Sequence, residues 1–171
     1  MSHDLATLFP AHLQGLQARA GAALAASGFD TLVLHSGRPP DAFLDDQHYA
    51  YRVHPPFKAW VPLTDAPDCL LACTPGRRPK LAFFSPDDYW HQPPAPPTGY
   101  WTDHFDIEIV GSPAAARAAL GRDLGRSAFI GDGFAELHSF GFTAINPEHL
   151  VTRLDFDRAA KSAYEIECLR E

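Results

Sequence analysis

A chain of 171 residues with 46% hydrophobic and 20% charged residues is one domain's worth of sequence, able to bury roughly 70% of the surface that its unfolded form exposes. Its 16 prolines and 12 glycines are too few for a disordered chain. A formal net charge of -7 and a sequence pI near 5.6 argue against the basic face that nucleic acid or an anionic membrane surface requires.

Met1 to Asp4 shows neither the basic region nor the apolar run of a signal peptide. No apolar run approaches the roughly 18 residues that span a bilayer, so the expected location is the cytoplasm. The first element is an amphipathic helix over residues 10–27, with Leu13, Leu16, Ala20, Ala23 and Leu24 recurring at helical spacing. Pro10 suits its first turn and Gly28 its stop. Residues 31–34, 69–73 and 81–84 are short apolar runs without alternation, as expected of central strands covered on both faces. Residues 60–63 read as a further strand, pushed to an edge or bulge by Pro62.

In the second half, Phe105, Ile107 and Ile109 alternate with Asp106 and Glu108, which predicts a half-exposed strand. Residues 113–120 read as a helix opened by proline, residues 127–130 as a strand closed by the turn Gly131-Asp132-Gly133, and residues 136–140 as a short helix. The "PPAPP" tract at 93–97 reads as a stiff surface loop. Ser162 and Glu165 have capping-box spacing, opening a last helix that has barely two turns before Glu171. A helix that short is marginal alone, so it either docks on this domain or belongs to a longer protein. The pattern gives an α/β fold, a mixed β-sheet with α-helices on both faces.

Chemistry-bearing residues are sparse. Cys69 and Cys73 sit four apart in an apolar run and read as buried free thiols facing one side of a strand, with Cys168 the third cysteine. No C-x2-C pair exists, and no two of the nine histidines stand at i, i+4, so a zinc site is not expected. Asp45, Asp46 and His48 could ligate a divalent metal or simply form a solvated loop. Asp87, Asp88, Asp103, Asp106 and Asp132 sit near strand ends, as phosphoesterase ligands or as ordinary turn formers. His35-Ser36-Gly37 lacks a nucleophile elbow, and Gly131-Asp132-Gly133 lacks the rest of a phosphate loop; both read as turns. The rings of Phe57, Trp60, Tyr89, Trp90, Tyr100 and Trp101 suit an interface or ligand rim, or loops packed on their own sheet.

Seven motifs then occur in order: "LHSG" at 34–37, "FLDD" at 43–46, "FKAW" at 57–60, "PKL" at 79–81, "DYWH" at 88–91, "INP" at 145–147 and "KSAYEIECLRE" at 161–171. Together they resemble the N-terminal part of the bacterial Xaa-Pro dipeptidases, or prolidases, of the creatinase and aminopeptidase P-like two-domain metallopeptidases. The resemblance implies a prolidase N-terminal domain, ribonuclease H-like in fold, over residues 1–158. Residues 159–171 would start the linker helix into a pita-bread catalytic domain. That domain would bind two manganese ions and hydrolyse dipeptides ending in proline. Its metal ligands lie downstream of this sequence, so the resemblance implies no catalytic residue, no metal and no activity in this chain alone.

The same resemblance implies a homodimer in which the "FLDD" loop projects toward the partner subunit's active site. Asp46, with Asp45 and Trp90, would form part of that substrate pocket, while Phe43, His48, Phe57 and Trp60 would pack the loop or the interface. Two departures stand out: His54-Pro55-Pro56 where relatives often carry Asn-Pro-Gln, and Arg38-Pro39-Pro40 at the entry to the loop. A free-standing binding or dimerisation module of the same fold is the alternative, and an independent hydrolase using Asp45, Asp46 and His48 a third.

Overall fold

The structure, a computed structural model, describes residues 4–44, 46–87 and 94–170. Asp45 and the segment 88–93, which carries Tyr89 and Trp90, lie outside the described residues. A six-stranded sheet is formed by β1 (Thr31–His35), β2 (Leu70–Cys73), β3 (Lys80–Phe84), β4 (Asp106–Val110), β5 (Ser127–Ile130) and β6 (Ala144–Ile145), in the order β4-β3-β2-β1-β5-β6. Only β2 runs against the others: β1 pairs antiparallel with β2 and β2 with β3, whereas β1 with β5, β5 with β6 and β3 with β4 are parallel. The expected mixed sheet is therefore present, with β1 at its centre.

The uniformly apolar strands feed two cores. On one face Leu32, Leu34, Leu71, Cys73, Leu81 and Phe83 meet α1 (Leu5–Ser27), α2 (Pro55–Trp60), α4 (Glu148–Asp157) and α5 (Ala163–Cys168). On the other, Val33, Leu70, Ala72, Ala82 and Phe129 pack with α3 (Pro113–Ala119) and a 3-10 turn at Leu137–Phe140. Neighbours along a strand thus serve opposite faces, and each fully buried large side chain contributes roughly 1.5–3 kcal/mol. Cys69 and Cys73 join the same core as free thiols, and Cys168 is exposed.

Several boundaries differ from the sequence expectation. α1 starts at Leu5, because the Asp4 side chain accepts from the Ala6 N–H and caps it there. Pro10 therefore lies inside the helix, where it withdraws the donor for Ala6's carbonyl, while neighbouring Phe9 is fully buried. The expected strand at 60–63 is absent. Pro55 and Pro56 instead open α2, where a missing N–H costs nothing, and the i, i+3 spacing of Phe57 and Trp60 sends both rings into the core. β4 is half exposed at an edge, yet it is Val110 that is buried and Ile109 that faces out. α4 and β6 have no counterpart in the sequence reading.

The capping box at Ser162 and Glu165 forms as expected, and α5 docks on α1 through a polar relay. His12 is buried, with Nε2 2.7 Å from the Ala59 carbonyl oxygen and Nδ1 2.8 Å from Ser162 Oγ. A carbonyl only accepts, so Nε2 carries the proton and Nδ1 accepts from the Ser162 hydroxyl. That hydroxyl oxygen in turn accepts from the Glu165 N–H at 3.2 Å. Around this relay Phe9 and the ring of Tyr164 stack edge to face, and the Tyr164 and Tyr100 hydroxyls meet at 2.9 Å.

Ser162→Ala removes a helix cap and leaves His12 Nδ1 without its donor; the expected loss is about 2 kcal/mol in urea unfolding followed by circular dichroism. Burial pushes the His12 pKa below its ordinary 6.5, outweighing the Ala59 carbonyl and Glu165, which act in the opposite direction. With the folded value depressed, the unfolded chain binds the extra proton. The contribution of His12 is complete above pH 6.5 and is lost as pH falls from there toward the lowered folded value. Unfolding midpoints should therefore drop between about pH 7.5 and about pH 5.5, and less steeply in His12→Gln than in the parent chain.

Candidate functional site

The chain leaves β1 at His35 and runs over the end of the sheet before α2 begins, and this excursion carries the "FLDD" motif. Its base is fixed by Ser36, which is fully buried. The Ser36 hydroxyl donates to the Ala66 carbonyl at 2.8 Å and accepts from the Cys69 N–H at 2.9 Å. Its carbonyl accepts from the His54 N–H at 2.8 Å and from the Tyr51 hydroxyl at 3.0 Å. Burial pushes the Tyr51 phenol up to about 12, so it stays protonated and able to donate. Ser36 is thus a structural hub whose hydroxyl is fully engaged, in agreement with its reading as a turn rather than a nucleophile.

Further out, the loop folds back on itself. The Tyr49 N–H donates to the Pro40 carbonyl at 2.8 Å and the Ala42 N–H to the Gln47 carbonyl at 2.9 Å. Asp41 and His48 form a bridge whose side chains meet at 2.8 Å. At the tip, Phe43 is 87% and Leu44 91% exposed. Leu44 also adopts a left-handed backbone with φ 55°, uncommon for a branched side chain. Asp46 is exposed beside them, with Gln47 Nε2 3.4 Å from its Oδ1. The tip therefore offers two apolar side chains and a carboxylate on a short stalk.

Of the other sequence-predicted site residues, Phe57 and Trp60 lie within this chain's own core, not on a rim. Asp45 and Trp90 fall outside the described residues. Metal-ligating side chains gather at a different place from Asp46 and His48: among the described residues, the one group of three or more is His35, His54 and Asp132. Of the strand-end acids among the described residues, Asp132 alone joins it; Asp106 faces Arg78 at 3.6 Å.

This group sits beneath the loop, at the ends of the parallel neighbours β1 and β5. His35 Nε2 donates to Asp68 Oδ1 at 3.2 Å, and Arg38 Nε donates to the same oxygen at 2.8 Å. Burial alone would raise the Asp68 pKa, but the hydrogen bonds from His35 and Arg38 prevail and hold it below the ordinary carboxylate value. His54 Nε2 lies 3.1 Å from Asp132 Oδ2, which also accepts from the Arg38 N–H at 3.3 Å. Gly131 makes the close approach possible: a Cβ there would stand 2.3 Å from His35 Cβ. Asn146, of the "INP" motif, clasps Gly131 through two side-chain hydrogen bonds of 2.9 Å. Sequence reading missed His54, Asp68 and Arg38. The available signal was topological, since His35 and Asp132 end two strands that pair in parallel.

Comparison with known proteins bears on both regions. Residues 7–156 match the family model described as Xaa-Pro dipeptidase, N-terminal domain. The chain is 43% identical over 167 residues, 98% of its length, to a protein of Xanthomonas axonopodis pv. citri (strain 306) named Xaa-Pro dipeptidase, covering 37% of that protein. A protein of the same name from Stenotrophomonas maltophilia (strain R551-3) is 42% identical over all of this chain and 38% of its own length. Another from Pseudoalteromonas atlantica (strain T6c / ATCC BAA-1087) is 38% identical over 98% of this chain and 38% of its own length. The chain thus spans less than two-fifths of the curated relatives it matches. On the extent of the family match and the identity along nearly its whole length, the chain belongs to the Xaa-Pro dipeptidase N-terminal domain family.

Proposed function

We propose that this chain is the non-catalytic N-terminal domain of a metal-dependent Xaa-Pro dipeptidase, where it drives homodimer formation and lends the tip of its loop to the partner subunit's substrate pocket. The supporting observation is the tip itself. Phe43 and Leu44 are almost completely exposed while the loop's base is rigidly bonded, an arrangement with little purpose unless another surface covers them. Covering two such side chains is worth roughly 1.5–3 kcal/mol each.

In this reading residues 1–158 form the domain and residues 159–171 lead into a catalytic domain. When bound there, two manganese ions would supply Lewis-acid activation of the scissile bond. The contribution of this chain is recognition. A dipeptide carries its free ammonium close to the bond that breaks, and Asp46, with Asp45, would pair with it in a partly desolvated rim. A longer peptide would place an uncharged amide against the same carboxylate, so the contact selects for dipeptides. Trp90 would complete the apolar wall. We assign the protein to the cytoplasm, in line with its three unpaired cysteines; no helix among the described residues is long and apolar enough to cross a membrane.

Asp46→Asn in the full-length two-domain protein should lower kcat/KM for Xaa-Pro dipeptides by about 10-fold or more, chiefly through KM, with little change for tripeptides. Equal kinetics on both substrate lengths would refute the role. Replacing Phe43 and Leu44 together by serine should shift the dimer toward monomer in sedimentation velocity, weakening association on the order of 100-fold. An unchanged dimer would place the interface elsewhere.

A further inference from the structure

The cluster below the loop has a property that the dipeptidase reading does not use. Asp68 takes the proton-bearing Nε2 of His35, so in the neutral ring Nδ1 is a bare lone pair. That nitrogen is the one buried side-chain polar atom among the described residues without a hydrogen-bond partner. An acceptor left unpaired at a residue only 1% exposed is costly and calls for an electrophilic partner. Beside the His35 ring are another imidazole and a carboxylate: one ligand nitrogen of His35 and one ligand atom each from His54 and Asp132 lie within 4.8 Å of one another.

We propose that His35, His54 and Asp132 form a divalent transition-metal site, of the type zinc occupies with three protein ligands and one open position. Two imidazoles and a carboxylate are an N2O donor set that suits zinc and disfavours magnesium or calcium. Tetrahedral zinc with bonds of about 2.0–2.1 Å needs its donors about 3.3 Å apart. The pair of His54 Nε2 and Asp132 Oδ2 already stands at 3.1 Å, and closing the 4.8 Å limit takes a movement of at most about 1.5 Å. On binding, the hydrogen bond between His54 and Asp132 is exchanged for a bond from each to the ion, and the His54 ring proton passes to Nδ1.

The surroundings match those of a built site. Asp68 bonded to His35 reproduces the carboxylate–histidine–metal arrangement that fixes the tautomer and direction of a ligand ring. The Arg38 guanidinium, whose charge would oppose a cation, is engaged by Asp68 at 2.8 Å, leaving Asp132 to offset one of the ion's two charges. Entry is open, since the side chains of His54 and Asp132 are 28% and 48% exposed. A cation here would cross-link the ends of β1 and β5 to the start of α2, directly under the stalk of the recognition loop.

The test is isothermal titration of the 171-residue chain with zinc alone, repeated with cobalt(II) to read coordination from its visible absorption. The proposal predicts one saturable ion per chain and the intense bands of four-coordinate cobalt. His54→Ala and Asp132→Asn should each weaken affinity by about 10-fold or more, and Asp68→Asn, which ligates nothing but loosens the hold on both His35 and Arg38, by about 10-fold. Both ligand positions are partly exposed, so circular dichroism should show each variant folded. Absence of saturable binding, or a one-to-one site that both ligand variants leave unchanged, would overturn the proposal. Neither readout depends on peptide hydrolysis, so the outcome is independent of the dipeptidase reading.

Discussion

Every polar group of Ser36 is engaged inside the protein, and the position of everything above the sheet follows from that. Its N–H donates to Cys69, its carbonyl accepts from His54 and Tyr51, and its hydroxyl bridges Ala66 and Cys69. Four residues from two stretches, 51–54 and 66–69, converge on one residue at the end of the central strand. An unsatisfied partner at this depth would cost about 1–3 kcal/mol, so none of these segments can shift independently. The loop that leaves β1 is consequently held rigidly at both ends of its stalk. Its outer part, including Asp41, Phe43, Leu44, His48 and Tyr49, is left to meet solvent or another surface.

The same anchoring couples the two regions of interest. His35, one residue before Ser36, belongs to the cluster beneath the loop, and His54, one of the donors to Ser36, belongs to it as well. Arg38 spans both levels, bonding Asp68 with its side chain and Asp132 with its backbone. A change in charge or ligation in the cluster would therefore be felt first at the loop's stalk, through bonds between about 2.8 and 3.3 Å. The packed core behind it, with Phe57 and Trp60, gives the stalk a stiff floor.

Much of this was legible in the sequence where the signal is local. Apolar runs without alternation placed β1, β2 and β3, the turn Gly131-Asp132-Gly133 marked the end of β5, and the Ser162 hydroxyl with the Glu165 carboxylate placed the start of α5. The resemblance carried by seven motifs named the family that comparison then established. Failures came where a residue's role is fixed by distant partners. Pro62 beside Trp60 read as a strand disturbed by proline, yet Pro55 and Pro56 serve as helix openers and send two rings inward. Pro10 marked a helix start by propensity, whereas the Asp4 side chain sets it a turn and a half earlier. The cluster of His35, His54, Asp68 and Asp132 could not be read from spacing, because four separate stretches contribute and only the fold joins them. Asp46 was visible as one half of an acid pair, but its exposure at the tip of a bonded stalk depends on the fold.

The three thiols have a consequence for chemistry on the intact surface. Burial raises Cys69 to about 12 and pushes Cys73 up further still, so neither is a thiolate near neutrality, and both are walled in by the sheet. Cys168, at the end of α5, is exposed. A maleimide or a spin label would thus find a single reactive position without any cysteine having to be removed. That position lies on the helix that His12 and Ser162 tie to α1. A probe placed there would report directly on whether this last helix stays docked on α1.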